Sequence, residues 1–322
     1  MERANPVEQA GMAPATQAIW TTIDRLIEGL APGAAGAHGV APLVAERLRS
    51  RGEDVPEAFR EEERAAKMVN LVAPSVLARA RAAYDGPMLL LKGPEVSALY
   101  PGRARMLVDL DLLVADAPAA QEALLSAGFV PAERLKRVSP SFYHLNPIEL
   151  PGIPLPIELH KTFRWPNGLH PPPNEVLFES AVPASVDVPG LLAPAAAHHA
   201  VLLAGHAWAE HPLERLRDLI DVALMTGHAD SDESARIAAA WGWDRVWRTT
   251  GRTIEWLFSQ GPRPTATRIW ARHLNGLREP TVIDRQLRRW LSGFWALPTT
   301  SALPEIAYEV KRSIRGEPAE HG

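Results

Sequence analysis

The sequence predicts an α+β fold, with a small mixed sheet in the middle of the chain flanked by N- and C-terminal helical regions. Two observations carry this expectation. Up to about residue 86 and again after about residue 186, apolar side chains recur three and four positions apart, the period of an amphipathic helix. Between these limits the apolar residues gather in short runs of strand length, bounded by Gly and Pro. At 322 residues the chain has room for roughly two domains and a sizeable core. The expected division is 1–86 helical, 87–185 α/β core and 186–322 helical.

In the first region, Ile19, Ile23, Leu26, Ile27 and Leu30 mark a helix over Thr16 to Leu30. A Pro-, Gly- and Ala-rich break from Ala31 to Gly39 precedes a short helix around Leu43 to Leu48. Glu57 to Tyr84 reads as a long amphipathic stretch, kinked or divided at Pro74 because proline lacks the donor a helix interior needs. Asp85-Gly86-Pro87 ends it.

In the middle region, Met88 to Leu91 reads as a buried strand closed by Lys92-Gly93, and Pro94 suits the first turn of a helix running to Tyr100. Val108 to Val114 is the next strand, and Ala117 to Ala127 a helix with Gly128 just past its end. Phe142 to Leu145 and Leu155 to His160 are further strands. In the last region, helices are expected over Ala195 to Ala209, Leu213 to Met225, Ser234 to Trp241 and Trp243 to Phe258. The tryptophans concentrated there read as packing residues.

Composition narrows the function classes. With 34 basic and 38 acidic residues the formal charge is −4, so no global field favours non-specific nucleic-acid binding. The chain has no cysteine, which excludes disulfides, thiolate metal sites and a cysteine nucleophile. Met1 to Pro6 lacks a signal-peptide pattern, and no apolar run reaches the roughly 18–20 residues needed to span a bilayer, so a cytoplasmic protein without membrane partners is expected.

The chemistry-bearing residues lie in the middle region. Asp109-Leu-Asp111 places two carboxylates on one face of a strand, with Leu110 and Leu112 on the other. Their Cα atoms would lie about 6–7 Å apart. Adjacent like charges are unfavourable unless something positive sits between them, which makes the pair a candidate site for magnesium, an oxygen-seeking cation. The alternative is an edge strand with a solvated face, against which stand the apolar neighbours Leu107, Val108, Leu112, Leu113 and Val114. Ile157-Glu158-Leu159-His160 again puts two polar groups on one face, so Glu158 is a candidate third ligand or general base, or the segment is a half-exposed strand. Lys92-Gly93, between strand and helix, suits a phosphate, or is a turn glycine beside a surface lysine. Arg103 and Arg105 suit phosphate or a structural ion pair. His199 and His206 are seven apart, on one helical face but not at the spacing of four used by helical zinc sites.

Together the Leu-Lys-Gly run, Tyr100, Asp-Leu-Asp-Leu-Leu-Val, Gly128-Phe129 and the later Glu-Leu-His resemble the uncharacterised nucleotidyltransferase family found in bacteria, a branch of the polymerase-beta-like nucleotidyltransferase superfamily. Gly39-Val-Ala-Pro-Leu43, His199, His206 and Arg215 to Asp221 extend the resemblance over most of the chain. It implies a nucleotidyltransferase core using two Mg2+ ions and a nucleoside triphosphate (NTP, such as ATP). An unknown acceptor, protein, peptide, small metabolite or RNA, would receive the nucleotide and pyrophosphate would leave. Asp109, Asp111 and Glu158 would be catalytic and hold metal, Lys92, Gly93 and Arg105 would bind nucleotide phosphate, and His160, His206 and Asp221 would support them. Most of the superfamily has Gly-Ser where this chain has Lys92-Gly93. A module that binds nucleotide without turnover is therefore the competing expectation, and a metal-dependent phosphoester hydrolase a third.

Overall fold

The computed structural model describes residues 14–133, 135, 138–139 and 142–315; the first residues, read above for a signal sequence, lie outside these. Four helices come first, α1 (Pro14–Ile27), α2 (Pro32–Ala37), α3 (Ala41–Ser50) and α4 (Glu57–Ala83). The middle of the chain follows as β1 (Met88–Leu90), α5 (Pro94–Ser97), β2 (Leu110–Val114), α6 (Ala117–Ser126), β3 (Val130–Pro131), β4 (Ile148–Glu149), β5 (Ile157–His160), α7 (Asn174–Glu179), β6 (Val182–Pro183) and β7 (Leu192–Ala193). The chain then turns helical through α8 (Ala196–Glu210), α9 (Leu216–Thr226), α10 (Ser231–Ala240), α11 (Asp244–Ser259), α12 (Thr265–Ile269), α13 (Val282–Leu291), α14 (Gly293–Ala296) and α15 (Thr299–Ile314). This is the α+β architecture expected from the sequence. No helix among the described residues is long and apolar enough to cross a membrane.

The seven strands form one mixed sheet in the order β3-β4-β5-β2-β1-β7-β6. β2 lies in its middle, antiparallel to β1 and parallel to β5, so it is no edge. All five of its residues are buried. Alternation sends Leu110, Leu112 and Val114 to one face, against Val76, Leu77 and Ala80 of α4 and Ala120 and Leu124 of α6. Leu113 goes to the other with Leu89 and Leu91, beneath Val201 and Leu202 of α8 and Trp243. A strand covered on both faces reads as a continuous apolar run, and each buried leucine contributes about 1.5–3 kcal/mol.

A second core joins the two helical ends of the chain. Trp20, Ile23 and Ile27 of α1 pack with Leu43 of α3, Leu216 and Ile220 of α9, and Trp270.

Four local expectations change. α4 runs unbroken through Pro74, because Ala73, Val76, Leu77 and Ala80 are all packed under the sheet and offset a proline cost of about 3 kcal/mol. The break at 31–39 contains α2, opened by Pro32 in its first turn. Phe142 to Leu145 forms no strand; His144 alone bridges to His160, and β4 takes the place beside β5. β2 starts at Leu110, leaving Asp109 just before it and Val108 64% exposed.

Candidate functional site

The parallel pairing of β2 with β5 sets Asp111 opposite Glu158 and Leu113 opposite His160, so both acidic groups and the imidazole share the face turned toward α8. His160 Nε2 lies 2.9 Å from Asp111 Oδ1 and 3.8 Å from Glu158 Oε2, while His144 Nε2 is 3.4 Å from the same Glu158 oxygen. Lys92, two residues past β1, brings its Nζ to 3.2 Å from Asp111 Oδ2 and donates to His206 Nε2 at 3.1 Å. His206 and Glu210 stand one turn apart on α8, and Arg164 donates to Glu210 Oε1 at 2.9 Å. Asp109 joins Lys92, Asp111, His144, Glu158, Arg164, His206 and Glu210 in lining a cavity of about 250 Å3, behind which His160 is buried.

Charge in this cavity is out of balance. Four carboxyl groups, Asp109, Asp111, Glu158 and Glu210, face two permanent cations, Lys92 and Arg164. Burial, with the charges of Asp111 and Asp109 nearby, pushes the Glu158 carboxyl up to about 8. Burial and Asp111 push Asp109 up to about 6. Asp111 goes the other way: burial opposes its charge, but Lys92 and His160 outweigh it and hold the carboxyl well below the usual range. The Lys92 ammonium is likewise held charged, its burial outweighed by Asp111, Asp109, Glu210 and Glu158. Burial and Lys92 keep His206 neutral, its pKa lowered to about 3.

The donor set fits a divalent cation that prefers oxygen. Asp111 Oδ2 is buried and, although in ionic contact with Lys92, makes no hydrogen bond. Ligand-capable atoms of Asp111, Glu158 and His160 all lie within 4.8 Å of one another. Hard carboxylate oxygens with unrelieved like charge are the surroundings that magnesium suits.

The remaining sequence-predicted residues go elsewhere. Arg105 is buried away from the cavity, where its Nε and Nη2 grip Asp221 at 2.6–3.1 Å and Tyr100 donates to the same carboxylate at 2.6 Å. Asp218 is half-buried and pairs with Arg217 at 3.1 Å. His199 is fully buried, 2.5 Å from the Leu91 carbonyl oxygen, and so ties α8 to the end of β1. Gly93 has φ +70° and ψ −122°, a conformation only glycine adopts readily, and it turns the chain from Lys92 into α5. Asn70 of α4 secures the turn that follows, donating to the carbonyls of Arg103 and Arg105 and accepting from Ser97 at 2.6 Å.

Sequence reasoning missed Arg164, Glu210, Tyr143 and His144, all of which line the cavity. Glu210 had a usable signal, four residues after His206 and hence on the same helical face. Arg164 and the Tyr143–His144 pair lie in irregular segments whose direction no period encodes.

Neither the curated proteins nor the solved structures contain a significant match to this chain. The profile of a family described as uncharacterised nucleotidyltransferase matches residues 33–259, which span α3 to α11 and every lining residue of the cavity. The match takes in well over half of the chain, which therefore belongs to the uncharacterised nucleotidyltransferase family.

Proposed function

We propose that the chain is a magnesium-dependent nucleotidyltransferase of the polymerase-beta-like type, which moves a nucleoside monophosphate from an NTP to an acceptor. A nucleophilic group of the acceptor, such as a hydroxyl, attacks the α-phosphorus, its bond to phosphorus forms as the bond to the bridging oxygen breaks, and pyrophosphate leaves. The observation that carries this reading is the clustering of Asp109, Asp111 and Glu158 around one cavity with more negative charge than its own cations balance.

Asp109, Asp111 and Glu158 would hold Mg2+, whose chemistry there is to neutralise phosphate charge and polarise the attacking and leaving oxygens. His160 orients Asp111 through its 2.9 Å contact. Glu158, whose carboxyl is pushed up to about 8 by burial and its acidic neighbours, either completes the metal site, where a cation would favour its charged form, or, once deprotonated, accepts the acceptor's proton. Lys92 supplies the ammonium for the triphosphate, in the place where related enzymes use a serine. Arg105 acts by position: bound to Asp221, it fixes the loop that delivers Asp109.

The experiment is transfer of label from α-labelled triphosphates into a cell extract, read by mass gain and by pyrophosphate release. The wild type should modify an acceptor, and Asp109→Asn/Asp111→Asn should lose at least a hundredfold of the rate while keeping its circular dichroism. Full activity in the double variant would contradict the assignment. Lys92-Gly93 in place of the superfamily's Gly-Ser is what favours one competing reading, a module that holds nucleotide without turnover. Tight MgATP binding with no pyrophosphate release under any acceptor would select it.

A further inference from the structure

A second cavity, of about 260 Å3, adjoins the first. Glu210 lines both, and three successive contacts of 3.1–3.5 Å lead from Glu210 through His206 and Lys92 to Asp111. One wall is the end of α8; the other is built by α13, α14 and α15. Its apolar lining, Trp208, Ala296, Leu297 and Ile306, is mostly buried; α13 turns Arg285, Arg288 and Arg289 toward the cavity, and Glu210 and Glu305 are the acidic residues that line it. Spacings of three and four put those arginines on one face of the helix. Arg288 is ion-paired with Glu214, whereas the Arg285 guanidinium contacts no carboxylate among the described residues.

The wall is well fixed. Asp284, 1% exposed, forms a capping box with Thr281 at the start of α13 and takes ion pairs from Arg278 at 2.7 Å and Arg272 at 3.1 Å. Apolar floors with a few charged groups at the rim characterise small-molecule sites. The match to the nucleotidyltransferase family ends at residue 259, and this wall lies outside the matched residues.

We infer that the second cavity is the acceptor pocket and that it takes a small molecule with an apolar body and an anionic group, phosphate or carboxylate. The apolar body lies against Trp208 and Ile306, the anion pairs with Arg285, and the reacting group is directed past Glu210 toward Asp109 and Asp111. The inference rests on the nucleotidyl-transfer reading for its role, but the pocket itself is testable separately.

The test is calorimetric titration of the full chain with phenyl phosphate and with benzoate, and with benzyl alcohol as the neutral control. Saturable binding of at least one anion is expected, weakened tenfold or more by Arg285→Glu and partly restored by Arg285→Lys. Asp109→Asn/Asp111→Asn should leave anion affinity within about twofold. Arg285 is exposed, so its variants should fold, which circular dichroism checks. Unchanged anion affinity in Arg285→Glu, equal affinity for benzyl alcohol, or no binding of either anion would overturn the proposal. MgATP titrated into the same proteins separates the two claims: indifference of MgATP to the aspartate variants counts against the nucleotide site, whereas the Arg285 series alone judges the pocket.

Discussion

Lys92 and Arg105 carry the same charge, yet their surroundings give them different work. Arg105 spends its guanidinium on Asp221 in a buried pair from which water is excluded. Arg105→Ala would leave that carboxylate buried and unpaired, and should cost about 3–5 kcal/mol in urea unfolding. A loss below about 1 kcal/mol would show that the pair is not structural. Lys92 faces the cavity, so Lys92→Met should weaken MgATP binding tenfold or more in a protein that still folds, as calorimetry beside circular dichroism would record. The aspartate pair was legible from the sequence because two charges in an apolar run have few explanations. The separation of Lys92 from Arg105 was not, since Asp221 lies 116 residues from Arg105 along the chain and only the packed structure brings them together.

At the scale of elements, the site depends on how closely α8 approaches the sheet and its neighbours. Gly205 sits where a Cβ would collide with the Trp243 ring. Gly205→Ala should therefore force α8 outward, destabilise the fold by about 1–3 kcal/mol and lower nucleotide affinity by moving His206 and Glu210, as urea midpoints and MgATP titration would show. An unchanged midpoint would mean that Trp243 gives way freely. β1, β2 and β5 were readable because apolar runs and alternation extend over three to five residues in them. β3, β4, β6 and β7 are two residues each, too short to display any period, and are fixed by their partners in the sheet.

Across the whole molecule, the helices at both ends close into one core, and several buried histidines, in that core and where α8 meets the sheet, are kept neutral. Burial lowers His38 and His273 to about 4, with the stacked neighbour His273 adding to the effect on His38, and burial lowers His199 to about 4. A histidine depressed in the folded state takes up its proton more readily when unfolded. Stability from these groups is thus complete above the unfolded value near 6.5 and is lost as pH falls from there toward 4. At pH 5 the loss should be about 2 kcal/mol for each group. Urea midpoints measured at pH 7.5 and pH 5 check this, and equal stability at the two would contradict it. The shared helical core explains why the flanks read as separate regions in the sequence: periodicity marks each helix but carries no record of which distant helix it meets.

The central claim, that the cavity lined by Asp109, Asp111 and Glu158 is built for a divalent cation and nucleotide phosphate, is tested most directly by titrating Mn2+, a spectroscopic stand-in for Mg2+, and following water-proton relaxation. Saturable binding is expected for the wild type, strengthened by ATP, with at least tenfold weaker or absent binding in Asp111→Asn. Mn2+ affinity unchanged in Asp111→Asn, with or without ATP, would contradict it.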